Sequence, residues 1–489
     1  MPKQGAGVLL FEPAFNGPDG TSIIAANLID ILKCLGLEPH LRVGRVCWEY
    51  GNFEPDFSIK ELPELSLAHP VAAELQRQTY SNWCSGGELW DDSYYELRYE
   101  HAKHQVRGVL EQELEEAKAQ GIQAIIFHNF ATLFYPPWIS EAVIELMQEH
   151  NELGFVSYSA DAVHERPERV GAYRRVVQDK IWGLLGDNAS LPKETAALQK
   201  QDVPGPVNLE NLVHIVLCNA QLDEYVKRGI SHQRIHLIPD FIKVPEEFEP
   251  REIGVSREFL QVLQQHLVVN PQIELKPDDL YILANVRPIR RKGLLELVMS
   301  AKTLRDAGYK PRVIFTHPNR YDGGMYFSKE VLPLASKLGI PVIYLGEKLM
   351  MQPCSSNQGF YYPALLKQIS TLPNVIAIVS SFNGGFENAV LEAARYGIPL
   401  SVNSMLQSFP DIYRGFDGNI VEFPGAAFAA LVRGERVDVA PLQEFAGGIR
   451  SALNNEAIPL LYHQQLKANY SLEAVLPRWE NVFTSTGLR

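Results

Sequence analysis

Short apolar runs alternate along most of the chain with stretches whose apolar residues recur at helical spacing. Residues 8–11 read as a buried strand, 12–22 as a loop holding Asn16-Gly17-Pro18-Asp19-Gly20, and 23–35 as a helix. Strand, glycine loop and helix form one βα unit, the building block of a parallel sheet. Residues 124–127, 154–158 and 214–217 read as further strands of the same sheet, with helices over 140–149 and 221–228 between them. A second series follows, with strands expected at 280–285, 312–316, 341–345, 375–380 and 399–402. Parallel strands buried on both faces appear as continuous apolar runs of this kind.

Two stretches break the alternation. Residues 48–105 carry Trp48, Trp83, Trp90, Tyr94 and Tyr95 among acidic residues and show no clear strand. They read as an insertion leading into a long helix over 94–120, serving either as a packed cap or as a binding surface where aromatic rings stack on a ligand. Residues 243–279 are rich in Pro, Glu and Asp and read as a linker. The pattern therefore predicts two doubly wound α/β domains. If they face one another, a ligand cleft is expected at the carboxyl ends of their strands.

Composition narrows the function. The 489 residues are 46% hydrophobic and 21% charged, as in an ordinary globular protein. A net charge of −13 argues against nonspecific nucleic-acid binding, which needs a basic surface to displace counterions. The five cysteines (Cys34, Cys47, Cys84, Cys218 and Cys354) are scattered without a Cys-x-x-Cys pair and read as buried small hydrophobes in a reducing compartment. No signal peptide and no membrane-length apolar run is visible, so the expected location is cytoplasmic, with peripheral membrane contact left open.

Candidate chemistry lies in the second series. In Ser380-Ser381-Phe382-Asn383-Gly384-Gly385-Phe386-Glu387-Asn388 a strand enters a glycine loop just before a helix. Bare glycines at a helix N-terminus let a phosphate approach backbone N–H groups, and the helix dipole favours the anion. Asn388 and Glu392 share a helical face, and a carboxylate there can accept both hydroxyls of a ribose. The loop from Asn285 to Gly293 places Arg287 and Lys292 after another strand, a fork and a point charge suited to a diphosphate. No His-Glu-x-x-His, Gly-x-Ser-x-Gly or phosphate-loop motif appears.

These segments, in this order, resemble the retaining GT-B glycosyltransferases of group 1, which include sucrose-, glycogen- and phosphatidylinositol mannoside-type synthases. Leu391-Glu392-Ala393 with Gly397-Ile398-Pro399 is similar to the family's L-E-A-x-A-x-G-x-P segment, and Arg287-x4-Lys292-Gly293 to its R-x4-K-G loop. Ile235 to Asp240 resembles the strand and turn closing the first domain, Gly17 and Gly20 the N-terminal glycine loop, and Tyr470-Ser471-Leu472-Glu473 the start of a terminal helix. The resemblance implies two Rossmann-like doubly wound domains facing a central cleft. An acceptor-side domain would span 1–245, a linker 246–279, a sugar-nucleotide domain 280–460, and a helix crossing back to the first domain 461–489.

The resemblance also implies a reaction and roles. A hexose would pass from a UDP- or GDP-hexose to an acceptor hydroxyl with retention at the anomeric carbon, without a metal or other cofactor. Arg287 and Lys292 would hold the diphosphate and Glu392 the ribose. Gly384, Gly385, Phe386, Glu387 and Asn388 would line the sugar and phosphate, and Gly20 would let the first domain close over them. The chain departs from the family at two points: Gly384 stands where a first glutamate is usual, and Ala160-Asp161 where a His-Asp pair is usual. Glu387 is expected to replace the missing carboxylate, and His128 or His164, beside Asp161, the missing polar contact. The alternatives are a catalytically silent sugar-nucleotide-binding protein or partner subunit and, less directly, an epimerase or phosphorylase. Base, hexose, acceptor and oligomeric state are not specified by the sequence.

Overall fold

The computed structural model describes residues 6–17, 20–50, 54–66, 69–79, 90–122, 124–131, 136–159, 206–319, 325–351, 360–382 and 384–485. The chain divides into two compact units. One comprises Met1–Trp48, Phe53–Pro239 and Val475–Arg489, the other Glu49–Asn52 and Asp240–Ala474.

In the first unit the strands are β1 (Gly7–Glu12), β2 (Glu38–Val43), β3 (Ser58–Glu61), β4 (Ala124–His128), β5 (Gly154–Ser159), β6 (Leu212–Val216) and β7 (Ile235–Leu237). They form one sheet in the order β3-β2-β1-β4-β5-β6-β7, parallel throughout. Helices α1 (Gly20–Cys34), α2 (Pro70–Thr79), α3 (Asp92–Ala119), α4 (Pro137–Glu149) and α5 (Asn219–Lys227) separate strands of this series. Helix α1 begins three residues before its expected start. The rings of Phe11 and Phe127 stack at 4.8 Å across β1 and β4, and Phe155 continues the stack from β5.

Residues 48–105 do contain a strand, contrary to the expectation. β3, of sequence Ser-Ile-Lys-Glu, is mostly exposed and carries no apolar run, so it left no hydrophobic signal. It is an edge strand whose Lys60 pairs with Glu113 of α3, and Arg42 of β2 binds the same carboxylate. Helix α3 starts at its cap: the Asp91 side chain accepts from Tyr94 N–H at 2.9 Å. Tyr95 and Tyr99 are fully buried, and Tyr99 donates to Glu141 of α4 at 2.8 Å. This part of the aromatic stretch is packed core; Tyr94 is exposed and lies edge-on to Trp90. From Val475 the terminal helix Leu472–Ser485 belongs to the first unit, where Trp479 stacks on Tyr158.

The second unit contains β8 (Leu267–Val269), β9 (Leu280–Ala284), β10 (Pro311–Phe315), β11 (Val342–Tyr344), β12 (Leu349–Met350), β13 (Phe360–Tyr361), β14 (Val375–Val379), β15 (Leu400–Asn403) and β16 (Val421–Phe423). Its main sheet runs β16-β15-β14-β9-β10-β11-β8; β12 and β13 pair separately. All neighbours in the main sheet are parallel except β8, which is antiparallel to β11. Helices α6 (Arg257–Gln265), α7 (Leu294–Asp306), α8 (Leu332–Leu338), α9 (Tyr362–Ser370) and α10 (Asn388–Arg395) belong to this unit. The stretch 246–279, read from the sequence as a linker, thus carries α6 and the edge strand β8. Three-residue strands such as β8 and β16 are too short to show a period.

The expectation of buried cysteines holds for Cys218. Cys34, in the last turn of α1, is exposed, and Cys47 is half-buried. Cys84 and Cys354 lie outside the described residues. Among the described residues, no helix is long and apolar enough to cross a membrane.

Candidate sugar-nucleotide site

In the main sheet of the second unit the strand order reverses between β9 and β14, whose connections leave in opposite directions. A crevice opens at the carboxyl ends of such a pair, where open α/β sheets bind ligands. Both sequence signals fall there. The loop after β9 carries Asn285, Arg287 and Lys292; the loop after β14 carries Gly384, Gly385 and Phe386 and leads into α10.

The two loops are laced together. Ser380 Oγ donates to the Lys292 carbonyl at 2.7 Å, and Phe382 N–H donates to the Arg291 carbonyl at 2.9 Å. Asn403 Nδ2 holds the Ser380 carbonyl at 3.1 Å. Between them sits Gly293, with φ +64°, where a Cβ would lie 2.3 Å from the Ser380 carbonyl oxygen. Only glycine allows both that left-handed turn and that approach, which explains the Lys-Gly pair physically.

Lys292 is buried and points at Glu387, with Nζ 2.7 and 2.6 Å from the two carboxylate oxygens. Arg291 Nη1 lies 3.7 Å from the same carboxylate. Burial pushes the Lys292 ammonium down to about 7; Arg291 and Arg287 add to this and Glu387 opposes it. Gly384 has φ +148°, and a Cβ there would lie 3.0 Å from Glu387 Oε1. The carboxylate of Glu387 therefore occupies the space into which a side chain at position 384 would begin to extend. A glutamate at 384 and one at 387 would compete for it.

Glu392, on α10, is buried behind this pair. Its Oε2 accepts from the Tyr362 hydroxyl at 2.6 Å and from Asn285 Nδ2 at 3.1 Å. Asn285 Nδ2 also reaches the Ala389 carbonyl at 3.0 Å, tying β9 to the first turn of α10. Burial raises Glu392 to about 7, although Tyr362 and Asn285 favour the carboxylate. Tyr362, raised well above its ordinary value by burial and by Glu392, stays a hydroxyl donor. Sequence reasoning missed Tyr362, since an aromatic at the start of a helix is usually core.

His317, just past β10, was also missed. It is buried, its ring meets Tyr362 edge-on at 5.3 Å, and its Nδ1 lies 3.0 Å from Thr316 Oγ1. Burial, with Arg287 and Lys292 nearby, pushes it down to about 3, so it stays neutral. Phe386 is buried against Tyr470, with ring centroids 5.6 Å apart. Its side chain is thus part of the packing, while Asn388 begins α10 half-buried.

The candidates of the first unit are placed differently. His128 ends β4 and Glu12 ends β1, also where a strand order reverses; His128 Nδ1 and Glu12 Oε2 are 2.7 Å apart and neither side chain is exposed. Gly20 is the first residue of α1. Asp161 and His164, with Ala160, lie outside the described residues. One carboxylate–imidazole group in this unit, Glu111, Glu115 and His150, has ligand atoms within 4.8 Å of one another. Lys118 Nζ is 2.8 Å from His150 Nδ1 and 2.7 Å from Glu115, so an ammonium already supplies the positive charge.

No family model and no curated protein matches the sequence. Solved structures do match over nearly the whole chain. Sucrose-phosphate synthase from Thermosynechococcus elongatus is 13% identical, with a TM-score of 0.58 and coverage of 98% of each chain. A glycosyltransferase from Rickettsia africae is 12% identical, with a TM-score of 0.57 and coverage of 99% of each chain. HepE from Anabaena, solved with UDP and glucose, is 12% identical, with a TM-score of 0.56, covering 98% of this chain and all of its own. At these identities the likeness shows the fold, which is GT-B, as the sequence resemblance implied.

Proposed function

We propose that this GT-B chain is a retaining hexosyltransferase that takes its sugar from a nucleoside diphosphate. The observation that carries the reading is the convergence, at the strand-order reversal of the second unit, of Lys292, a glycine loop, a helix N-terminus and the buried Glu392. Arg287 leaves the same strand end. A nucleoside diphosphate needs cations and N–H donors for its phosphates and an acceptor for its ribose, and this convergence supplies all three. The donor is a UDP- or GDP-hexose; HepE, of the same fold, was solved with UDP and glucose.

In this reading Arg287 and Lys292 neutralise the diphosphate as it leaves, and the amides at the start of α10 hold its oxygens. Glu387 keeps Lys292 in place from behind, and its carboxylate lies where positive charge develops at the anomeric carbon. Glu392 accepts the ribose hydroxyls, steadied by Tyr362 and Asn285. The acceptor hydroxyl attacks from the face the diphosphate leaves, which gives retention. Cationic side chains rather than a metal carry the charge. The location proposed is the cytoplasm. A silent nucleotide-sugar binder is the second reading, favoured by Gly384, whose φ of +148° suits no glutamate.

The test is a panel of UDP-, GDP- and ADP-hexoses incubated with acceptors in excess chelator. Release of nucleoside diphosphate from one donor, with the product keeping the donor's anomeric configuration, supports the proposal. Tight binding of a donor with no turnover supports the silent reading. Turnover only after magnesium or manganese is added refutes the cation-only account.

A further inference from the structure

A cavity lies in the same unit at the far ends of α9 and α10 from Tyr362 and Asn388. It measures about 590 Å³, within the range of small-molecule pockets. Its walls come from Pro245 and residues 248–252, the last turn of α9, the end of α10, and Pro459 and His463 of the helix Ile458–Gln465.

Carbonyl groups at two helix ends should make this place unfriendly to anions. Arg251 offsets much of that effect, because its Nε donates to the Ser370 carbonyl at 2.5 Å and its Nη2 to that of Leu372. Two cations remain. Lys367 is shared with Glu249 at 3.2 Å on an exposed rim. Arg395 is half-buried, lies over the Tyr396 ring at 5.6 Å, and pairs with no carboxylate among the described residues. Around it stand His463, an imidazole able to donate an N–H, and Phe248, whose ring lies 5.6 Å from that imidazole.

We infer that this cavity binds a small phosphate monoester carrying a ring, with Arg395 and His463 on the phosphate and Phe248 and Tyr396 against the ring. The guanidinium fork matches phosphate oxygens, and aromatic faces match a sugar ring. The site stands apart from the diphosphate pocket and does not depend on the reaction proposed above.

Calorimetric titration with ribose 5-phosphate, free ribose and inorganic phosphate tests this. Ribose 5-phosphate should bind saturably, more tightly than inorganic phosphate, and free ribose should not bind. Its affinity should fall at least about tenfold in Arg395→Ala, the loss of one charge-assisted contact, and fall in His463→Ala as well. It should be unchanged in Arg287→Ala, whose side chain lies at the other pocket. The inference is overturned by no saturable binding at millimolar concentration, or by inorganic phosphate or free ribose binding as tightly as ribose 5-phosphate. Full retention of affinity in Arg395→Ala, or its loss in Arg287→Ala, would likewise overturn it.

Discussion

Lys292 ties the proposed diphosphate site to pH. In the empty protein burial and two arginines hold it at about 7, against an ordinary 10.5. A bound diphosphate favours the ammonium, so binding above pH 7 must draw a proton onto Lys292. Each pH unit above 7 then weakens binding about tenfold at the limit, and the loss from pH 7, where half is already charged, to pH 9 is roughly fiftyfold. UDP suits the measurement, because its terminal phosphate is mostly ionised above pH 7. Calorimetry in buffers of different ionisation heat should show uptake approaching one proton per UDP at pH 9. The control is Lys292→Met with Glu387→Gln, which removes both charges of the buried pair; its affinity should be weak and lack the fiftyfold fall, leaving at most about a twofold rise as Glu392 ionises above pH 7. The same shift acts oppositely on the empty protein. Between pH 7 and 10.5 the unfolded chain holds a proton on Lys292 that the folded one lacks, so this group's contribution to stability rises with pH there. A parent affinity that is constant from pH 7 to 9, or a slope that persists in the double variant, would refute the reasoning.

Other outcomes follow from the same geometry. Lys292→Met alone leaves Glu387 buried with only Arg291 nearby at 3.7 Å; urea unfolding should show a loss of about 3–5 kcal/mol, largely restored by adding Glu387→Gln. Glu392→Gln should weaken binding of a ribonucleoside diphosphate more than that of its 2′-deoxy analogue; equal weakening in calorimetry would make Glu392 a structural residue. Gly384→Glu, which restores the usual family residue, should lower the melting temperature rather than improve turnover, because φ there is +148° and Glu387 already fills the space. The strain is of order 1–3 kcal/mol, and an unshifted melting curve would show that the loop adapts.

The sheets were legible because their central strands are unbroken apolar runs, as in Val-Ile-Ala-Ile-Val of β14 and Leu-Tyr-Ile-Leu-Ala of β9. The edge strands β3 and β8 were not: β3 is polar because its Lys60 serves Glu113, and β8 is three residues long. The elements proposed to bind phosphate could be read locally, since glycines before a helix and paired cations after a strand carry their own chemistry. Which groups meet could not. Lys292 and Glu387 are 95 residues apart and pair only because two strands lie side by side. Tyr362 and Glu392 are 30 residues apart and on different helices, and their hydrogen bond appears only in the fold. Counting back from Glu392 identified Gly384 as a departure but could not show that the Glu387 carboxylate stands beside it.

The central claim is that the loop after β9 holds the diphosphate, and Arg287 tests it most directly. It leaves the end of β9 half-buried and, unlike Lys292, is not part of the buried ion pair with Glu387 whose disruption would unfold the site. UDP or GDP, whichever the parent binds, should bind Arg287→Ala roughly tenfold or more weakly, the loss of one charge-assisted contact of about 1.5–3 kcal/mol. Equal affinity of parent and variant for that nucleoside diphosphate would contradict the account.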